Sequence, residues 1–255
     1  MIEPEFLISA YVAAPEKLVL SGGRWKRIQI PVRYGQFRHP RLGTCLIDTG
    51  YTPRVTAGRR SLPLWLYANI LRPKLTDATL PPDVSVILVS HLHADHISAL
   101  RDYPKARILL DGEALAHYRS RNWFGRTRKG CFAELFPDDL AERAEPFDRF
   151  PMVDAPLGLG AVRDVFSDGS VLAVPLPGHM RGHTGFVFAQ REMPLLYAAD
   201  ADWLRVAILE GRSPSFPASH VLDDPIAAGE TARRIRRFVE AGGELVLCHD
   251  PETEA

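Results

Sequence analysis

The chain has little of several features that would place it in other protein classes. Cysteine occurs only three times in 255 residues, at Cys45, Cys131 and Cys248, without a CxxC pair. This odd, scattered set does not predict a disulfide scaffold and suits a reducing compartment. No apolar run approaches the roughly 20 residues of a membrane span. The first residues also lack the positive segment and apolar run of a secretion signal. These absences predict a cytoplasmic protein with no membrane partner.

Neither basic nor acidic residues are in excess. The 31 basic and 31 acidic residues give a formal net charge of zero, so no global field would attract nucleic acid or an anionic membrane. One basic run, at positions 233–237, lies on a predicted helix and is interpreted as a solvated face. The composition is that of one globular domain, 1–255, whose partner is expected to be a small-molecule substrate.

Short runs of branched apolar residues, which are typical of strands, alternate with helical patterns. Strands alternating with helices in one domain predict sheets with helices packed outside them. The predicted helices cover 111–121 and 224–241, and the predicted strands cover 27–33, 44–47, 84–89, 171–174, 184–189, 194–198 and 244–248.

Two segments look like additions to this pattern. Residues 61–76 are apolar and aromatic and contain two prolines, and residues 122–150 mix aromatics with Arg126, Arg128 and Lys129. Each is predicted either to form a lid over a site or to pack on the core. The first could instead join two subunits in a homodimer.

The segment that carries the chemistry follows the apolar run VILV and contains His91, His93, Asp95 and His96. Residues two apart on an extended chain point to the same side, so His91 and His93 can bind one ion together. Asp95 and His96 lie where the chain turns towards a predicted helix, so they can face a second ion. Imidazole and carboxylate are ligands that zinc favours. A polar loop with satisfied histidines is the weaker interpretation, because three of nine histidines fall within six residues.

Three later strands end on residues of the same kind. His179 lies in a glycine-flanked turn after VLAVPL, Asp200 follows PLLYAA, and His249 follows ELVLC. Three strand ends that each deliver one His or Asp predict a site at the edge of the sheets, with enough ligands for two metal ions.

With these residues in view, the chain resembles the metallo-β-lactamase-fold hydrolases over nearly its whole length. His91, His93, Asp95 and His96 match the family's HxHxDH pattern, and IDTG places Asp48 after a strand. The later ligands match His179, Asp200 and His249. The resemblance implies an α+β fold, the αββα sandwich of this family, with its metal site at one edge of the two sheets.

The resemblance also implies a dinuclear centre. Zinc is favoured by the ligand types, and iron, manganese or cobalt can occupy such sites. Asp200 and a hydroxide would bridge the two ions, and the hydroxide would attack a carbonyl or phosphoryl centre. Asp95 would have a minor role in steering a proton to the leaving group. One ion would be held by His91, His93 and His179, and the other by Asp95, His96 and His249.

Three further residues are expected beside the ligands. Asp48 would lie near the metals, and His183 is interpreted as supporting the site rather than binding metal. Trp203 either forms a wall of the substrate pocket or packs in the core. Cys248 is expected to pack in the core, because neighbouring residues on a strand face opposite ways. The remaining histidines considered, His39, His117 and His220, are predicted at the surface.

Among families of this fold, the chain is most similar in pattern to the N-acyl homoserine lactonases. The segments RHPRLGTCLIDTG and VLCHD resemble theirs, although Trp203 stands where that group has Tyr, and Ala94 replaces bulkier residues. Lactone or ester hydrolysis is therefore the leading hypothesis. The alternatives are a thioesterase of the glyoxalase II type and a small-molecule phosphodiesterase whose phosphate could bind near 126–129. A non-enzymatic metal protein is disfavoured, because structural zinc sites are usually closed by four ligands.

Overall fold

Two mixed β-sheets and nine α-helices are present in the computed structural model, which describes residues 1–212, 214 and 218–251. The chain divides into two compact units. The N-terminal unit contains residues 4–13 and 31–146, and the C-terminal unit contains residues 1–3, 14–30 and 147 onward. None of the helices among the described residues is long and apolar enough to cross a membrane.

The strands and helices are numbered in chain order. The strands are β1 (Glu5–Pro15), β2 (Arg27–His39), β3 (Gly43–Ile47), β4 (Lys74–Leu75), β5 (Val86–Leu88), β6 (Arg107–Leu110), β7 (Ala144–Pro146), β8 (Met152–Ala155), β9 (Gly160–Asp164), β10 (Leu172–Pro175), β11 (Thr184–Phe188), β12 (Leu195–Tyr197) and β13 (Glu244–Val246). The helices are α1 (Glu16–Val19), α2 (Pro53–Thr56), α3 (Leu62–Leu71), α4 (Ala94–Ile97), α5 (Gly112–Ser120), α6 (Trp123–Arg128), α7 (Leu140–Arg143), α8 (Arg205–Glu210) and α9 (Pro225–Glu240).

The seven-stranded sheet has the order β4-β1-β2-β3-β5-β6-β7. Its strands β3, β5, β6 and β7 run parallel, and β2 pairs antiparallel with β3. Every residue of β5 is buried, as expected for a parallel strand covered on both faces. Because β3 and β5 are parallel neighbours, the residues after them emerge at the same edge of the sheet. Asp48 follows β3, and the HxHxDH segment follows β5.

The six-stranded sheet lies in the C-terminal unit and has the order β13-β12-β11-β10-β9-β8. Strands β12 and β13 are parallel, and β11 is antiparallel to both β10 and β12. The ends of β10, β12 and β13 therefore emerge at one edge of this sheet. His179, Asp200 and His249 follow those three strands, so the predicted strand-end placement holds within this unit.

Helix α9 packs its apolar side on the core of the C-terminal unit. Ile235 and Phe238 are fully buried with Val187, Leu196 and Leu245. The helix begins after Asp224, whose carboxylate accepts hydrogen bonds from the N–H groups of residues 226 and 227. These bonds satisfy two backbone donors that have no partner inside the helix. The predicted helix 224–241 is thus observed as 225–240.

The two added segments differ in structure. In residues 61–76, Pro63 lies in the first turn of α3, where it needs no N–H partner and does not break the helix. Residues 122–150 form the short elements α6, α7 and β7 with 3-10 turns between them. The N-terminal strand β1 and the hairpin β8–β9 were not predicted. Their sequences, EFLISAYVAAP, MVDA and GAVRD, interleave polar, alanine and glycine residues and so give a weak strand signal.

Replacing Asp224 with Ala should lower the free energy of unfolding by about 1 kcal/mol, because two N–H groups of α9 lose their acceptor. Asp224→Asn keeps an acceptor oxygen and should stay close to wild type. Urea unfolding of both variants provides the measurement. A loss of equal size in the two variants would show that the charge of Asp224, rather than its capping bonds, stabilises the helix.

Candidate metal centre

The N-terminal unit contributes a first ligand cluster, which we define as His91, His93, Asp95 and His96. His91 and His93 lie on the extended segment after β5, and α4 begins directly after His93, so that Asp95 and His96 fall in its first turn. His91 and His96 are almost fully buried and Asp95 is buried, whereas His93 is partly exposed. The change from extended chain to helix therefore groups the four residues as one pair before α4 and one pair within it, and the ring centroids of His91 and His96 lie 4.0 Å apart between the pairs.

The donor atoms of each pair face one another. Nε2 of His91 lies 2.9 Å from Nδ1 of His93. Oδ2 of Asp95 lies 3.6 Å from Nε2 of His96. Two imidazoles in one pair, and an imidazole with a carboxylate in the other, are donor sets that suit borderline divalent cations such as zinc.

Asp48 orients two of these histidines through a buried network. Its Oδ1 accepts the N–H of Ser90 at 2.8 Å, and its Oδ2 accepts the Ser90 hydroxyl at 2.7 Å. Nδ1 of His96 lies 2.8 Å from the same Oδ2, and Nδ1 of His91 lies 3.0 Å from Ser90 Oγ. A carboxylate can only accept, so we assign the proton of His96 to Nδ1. Ser90 donates its only hydroxyl proton to Asp48, so its oxygen accepts from His91, and we assign the proton of His91 to Nδ1 as well. The Nε2 lone pairs of His91 and His96 are then available to bind a cation.

The backbone at Asp48 is held in the left-handed region, with a φ of 59°. Such a conformation costs energy in a residue other than glycine and persists only where its surroundings hold it. Here Asp48 N–H donates to the carbonyl of Leu88, and Thr49 N–H donates to that of His96. The strained turn after β3 is therefore tied to the loop whose histidines Asp48 orients.

The C-terminal unit contributes a second ligand cluster, which we define as His179, Asp200 and His249. Asp200 is its centre, because Oδ2 lies 3.1 Å from His249 Nε2 and 3.5 Å from His179 Nε2. All three residues are buried. A carboxylate with an imidazole on either side again forms a donor set that fits a cation.

His183 supports this cluster from behind. Its Nδ1 lies 3.0 Å from the carbonyl of Leu176, so this nitrogen carries the proton, and its Nε2 accepts the N–H of Asp200 at 3.2 Å. Both ring nitrogens are thereby engaged with the backbone. The ring fixes the chain at Asp200, next to Ala199, whose φ of 46° is also left-handed.

Cys248 lies closer to the ligands than the sequence analysis expected. Its Sγ lies within 4.8 Å of the donor atoms of Asp200 and His249. Strand β13 ends at Val246, two residues earlier than predicted, so the alternation of neighbouring residues does not apply to the turn that follows. The thiol is buried and forms no disulfide.

A cleft opens beside the second cluster. Trp203 forms part of its wall and also packs against the small core around Leu204 and Ala207. The two alternatives weighed for Trp203, pocket wall and core, therefore both describe its position. Burial raises the pKa of the neighbouring Asp202 carboxyl to about 7, although hydrogen bonds from the N–H groups of residues 203 and 204 lower it. The cleft is lined by His179, Asp200, Ala201, Asp202, Trp203, Pro214, Leu222 and Ala228.

Each added segment makes a contact in the region of the first cluster. A Cβ added at Gly130 would lie 3.4 Å from Cδ2 of His93, so Gly130 lies close to that ring. Tyr67 of α3 shares a 2.6 Å hydrogen bond with Tyr51, which follows the Asp48 turn. These contacts place Gly130 beside His93 and Tyr67 beside the chain that follows Asp48, and the lid interpretation of the two segments stays a prediction.

The other histidines differ in position. His220 is exposed and His117 is partly buried, but His39 is buried, and the prediction that it lies at the surface is wrong. His39 is the last residue of β2, opposite Gly43 of β3, and its Nδ1 accepts the N–H of Arg41. The ring closes this tight turn, a local role that no pattern of partners along the chain reveals.

Comparison with known proteins gives a consistent result. The family model described as the metallo-beta-lactamase superfamily matches residues 42–248. The chain is similar to the N-acyl homoserine lactonase AttM of Azorhizobium caulinodans, with 26% identity over 250 residues, 91% of this chain and 87% of that protein. It is 28% identical to AttM of Agrobacterium fabrum over 180 residues, 69% of this chain and 61% of that protein.

Solved structures of low identity share the fold. A mutant of AiiA from B. thuringiensis, with N-decanoyl-L-homoserine bound at its active site, superposes with a TM-score of 0.68 at 18% identity, covering 98% of this chain and 93% of that one. AidC, described as a dizinc quorum-quenching lactonase, gives 0.64 at 15% identity, with coverage of 98% and 88%. With the family match, this likeness confirms the expected fold class.

Gly178, which precedes His179, should not tolerate a side chain. Its φ is 133°, and a Cβ would lie 2.3 Å from the backbone N and Cα of Ala228 in α9. Gly211 also has a positive φ, 68°, but has open space around it. We expect Gly178→Ala to reduce stability by about 1–3 kcal/mol more than Gly211→Ala, because overpacking adds to the backbone strain. Denaturant unfolding compares the two, and similar losses would show that space at Gly178 is not limiting.

Proposed function

The chain belongs to the metallo-beta-lactamase superfamily and is a metal-dependent hydrolase, and from this premise we propose that it opens lactone rings at a dinuclear centre. The proposed substrates are N-acyl homoserine lactones or close analogues. The observation that supports the metal centre is the network around Asp48, which leaves the Nε2 atoms of His91 and His96 available to bind a cation. A histidine that only packs in a core does not need a hydrogen bond that holds its Nδ1 proton in place and leaves Nε2 unprotonated.

We propose that the first and second ligand clusters together hold two zinc ions, with iron, manganese or cobalt as substitutes. One ion would be held by His91, His93 and His179, and the other by Asp95, His96 and His249. Asp200 would serve both. The donor types in each cluster fit this assignment. Nε2 of His91 and Nδ1 of His93 lie 2.9 Å apart, close enough to bind one cation together. The dizinc description of the structurally similar AidC supports the choice of metal.

When bound, the ions supply Lewis acidity and a water of lowered pKa at neutral pH. The protein residues keep the site in its productive form. Asp48 and Ser90 hold the protons of His91 and His96 on the Nδ1 side, and His183 fixes the backbone of Asp200. We assign Asp95, which is buried and only 8% exposed, a minor role in carrying a proton towards the leaving oxygen of the opened ring.

The cleft beside the second cluster supports an uncharged, partly apolar substrate. Trp203, Leu222 and Ala228 contribute apolar wall next to the Asp200 carboxylate. An indole N–H can donate one hydrogen bond to a substrate carbonyl but cannot act as an acid in the way a phenol can. We therefore infer that Trp203 positions the substrate, in agreement with lactonase names among the relatives at 26–29% identity.

The proposal is tested by hydrolysis assays on the zinc-loaded protein. We expect turnover of acyl homoserine lactones to exceed that of p-nitrophenyl esters and of bis-p-nitrophenyl phosphate. Chelation should remove the activity, and zinc should restore it. Asp200→Asn should abolish turnover, while the exposed Asp154→Asn should leave it unchanged. Faster hydrolysis of the phosphodiester would assign the chain to phosphodiesterases, and thioester preference would assign it to thioesterases.

Asp48→Asn should weaken zinc binding by roughly 10–100-fold, because an amide cannot accept from all three donors that face the carboxylate. Zinc affinity is measured by competition with a chromogenic chelator. The exposed Asp154→Asn again serves as the matched control. Unchanged affinity in the Asp48 variant would contradict the orienting role given to this residue, even if lactone turnover fell.

A further inference from the structure

Two stretches of the N-terminal unit carry all their charge in one sign. Residues 49–76 and residues 114–133 contain no Asp or Glu, and each has five Lys or Arg residues. The rest of the chain balances them, so the net charge of zero hides this local excess. Arg54 of the first stretch is paired with Asp102, whereas Arg59, Arg72, Lys74, Arg119 and Arg128 are exposed.

Large apolar side chains are exposed in the same two stretches. On α3, Leu62 is 67% and Ile70 is 77% exposed, with Trp65 and Leu66 at 45%. At the start of α6, Trp123 and Phe124 are exposed to similar extents, 60% and 66%. Scattered apolar residues are normal on a surface, but six large ones on two short helices form an unusual concentration.

The two stretches are joined by direct contacts. The backbone N–H and hydroxyl of Ser61, which caps α3, donate to the carboxylate of Glu134, the acidic residue that directly follows the second stretch. The ring of Tyr67 lies 5.0 Å from that of Phe132. The first stretch therefore contacts the end of the second, a few residues after α6. We call residues 59–75 and 119–129 together the apolar-basic surface.

The fold holds the aromatic part of this surface in place. Asn122 caps α6 by accepting the N–H of Gly125. The Arg126 guanidinium stacks 4.4 Å from the centre of the Tyr118 ring and donates to the carbonyls of Arg119 and Arg121. These bonds anchor the turn that presents Trp123 and Phe124 to solvent.

We propose that the apolar-basic surface binds the surface of an anionic lipid bilayer. Exposed Trp and Phe enter the interfacial region of a bilayer, aliphatic residues enter the acyl boundary beneath it, and cations bind anionic headgroups. A second copy of the chain fits less well, because a two-fold contact would bring the two cation-rich faces together. Single-stranded nucleic acid would use the aromatics and cations but not Leu62, Leu66 and Ile70.

This inference does not rest on the proposed lactonase activity. It replaces the expectation of no membrane partner, which followed from the net charge of the whole chain and not from where the charges lie. The mode of binding is peripheral, since it uses short helices on a folded unit.

Vesicle flotation of the full-length protein tests the proposal. We expect binding to vesicles of phosphatidylcholine mixed with phosphatidylglycerol to be at least about tenfold stronger than to phosphatidylcholine alone, and to weaken as salt is added. The double variant Trp123→Ser with Phe124→Ser, and the single variant Arg128→Glu, should each reduce binding at least about fivefold.

Matched controls separate this surface from general stickiness. Trp25→Ser removes a 73% exposed indole from the C-terminal unit, and Lys105→Glu reverses an exposed charge outside the two stretches. Both should bind vesicles like wild type, and thermal melts establish that all variants fold. Absent binding, equal binding to the two vesicle types, or equal losses in the controls would overturn the proposal. A dimer that Leu66→Ser with Ile70→Ser dissociates, or tighter binding to a single-stranded oligonucleotide, would overturn it in favour of those partners.

Discussion

The buried carboxylate of Asp48 is the interaction on which the ligand chemistry of the N-terminal unit depends. It accepts three hydrogen bonds, two from Ser90 and one from His96, and is itself fully buried. A buried carboxylate that loses such donors becomes costly, so the network stabilises the turn and directs the histidines at once. The left-handed backbone of Asp48 is the strain that this arrangement tolerates.

In the C-terminal unit, the His183 ring has the positioning role that the Asp48 carboxylate has in the N-terminal unit. His183 bonds the backbone on both sides of its ring and so fixes Asp200, while His179 and His249 face the carboxylate from strand ends. In both units the proposed ligands lie on loops or in the first turn of α4, and buried polar groups behind them fix their positions. This division explains why residues that are not proposed to bind metal, such as Ser90 and His183, are as constrained in position as the proposed ligands.

Much of this was predictable because metal chemistry restricts residue type. The HxHxDH segment, His179, Asp200 and His249 could be selected from the sequence, since few other reasons place imidazoles and carboxylates at successive strand ends. Residues whose type and sequence neighbours are common could not be selected in this way. Ser90 is one of many serines, Cys248 seemed to follow strand alternation, and His39 gave no sign that it closes a turn, because each depends on where a strand ends.

The sequence by itself determined the fold class, the family and the set of residues proposed as metal ligands, because motif spacing and residue type can be recognised along the chain alone. Only the tertiary structure decided which ring nitrogen of each histidine is available, which carboxylate orients it, and that two acid-free stretches with exposed Trp123, Phe124 and Ile70 border one another. The physical reason is that proton positions and surface patches arise from contacts between residues far apart in the chain. A net charge of zero, counted along the sequence, contains no record of those contacts.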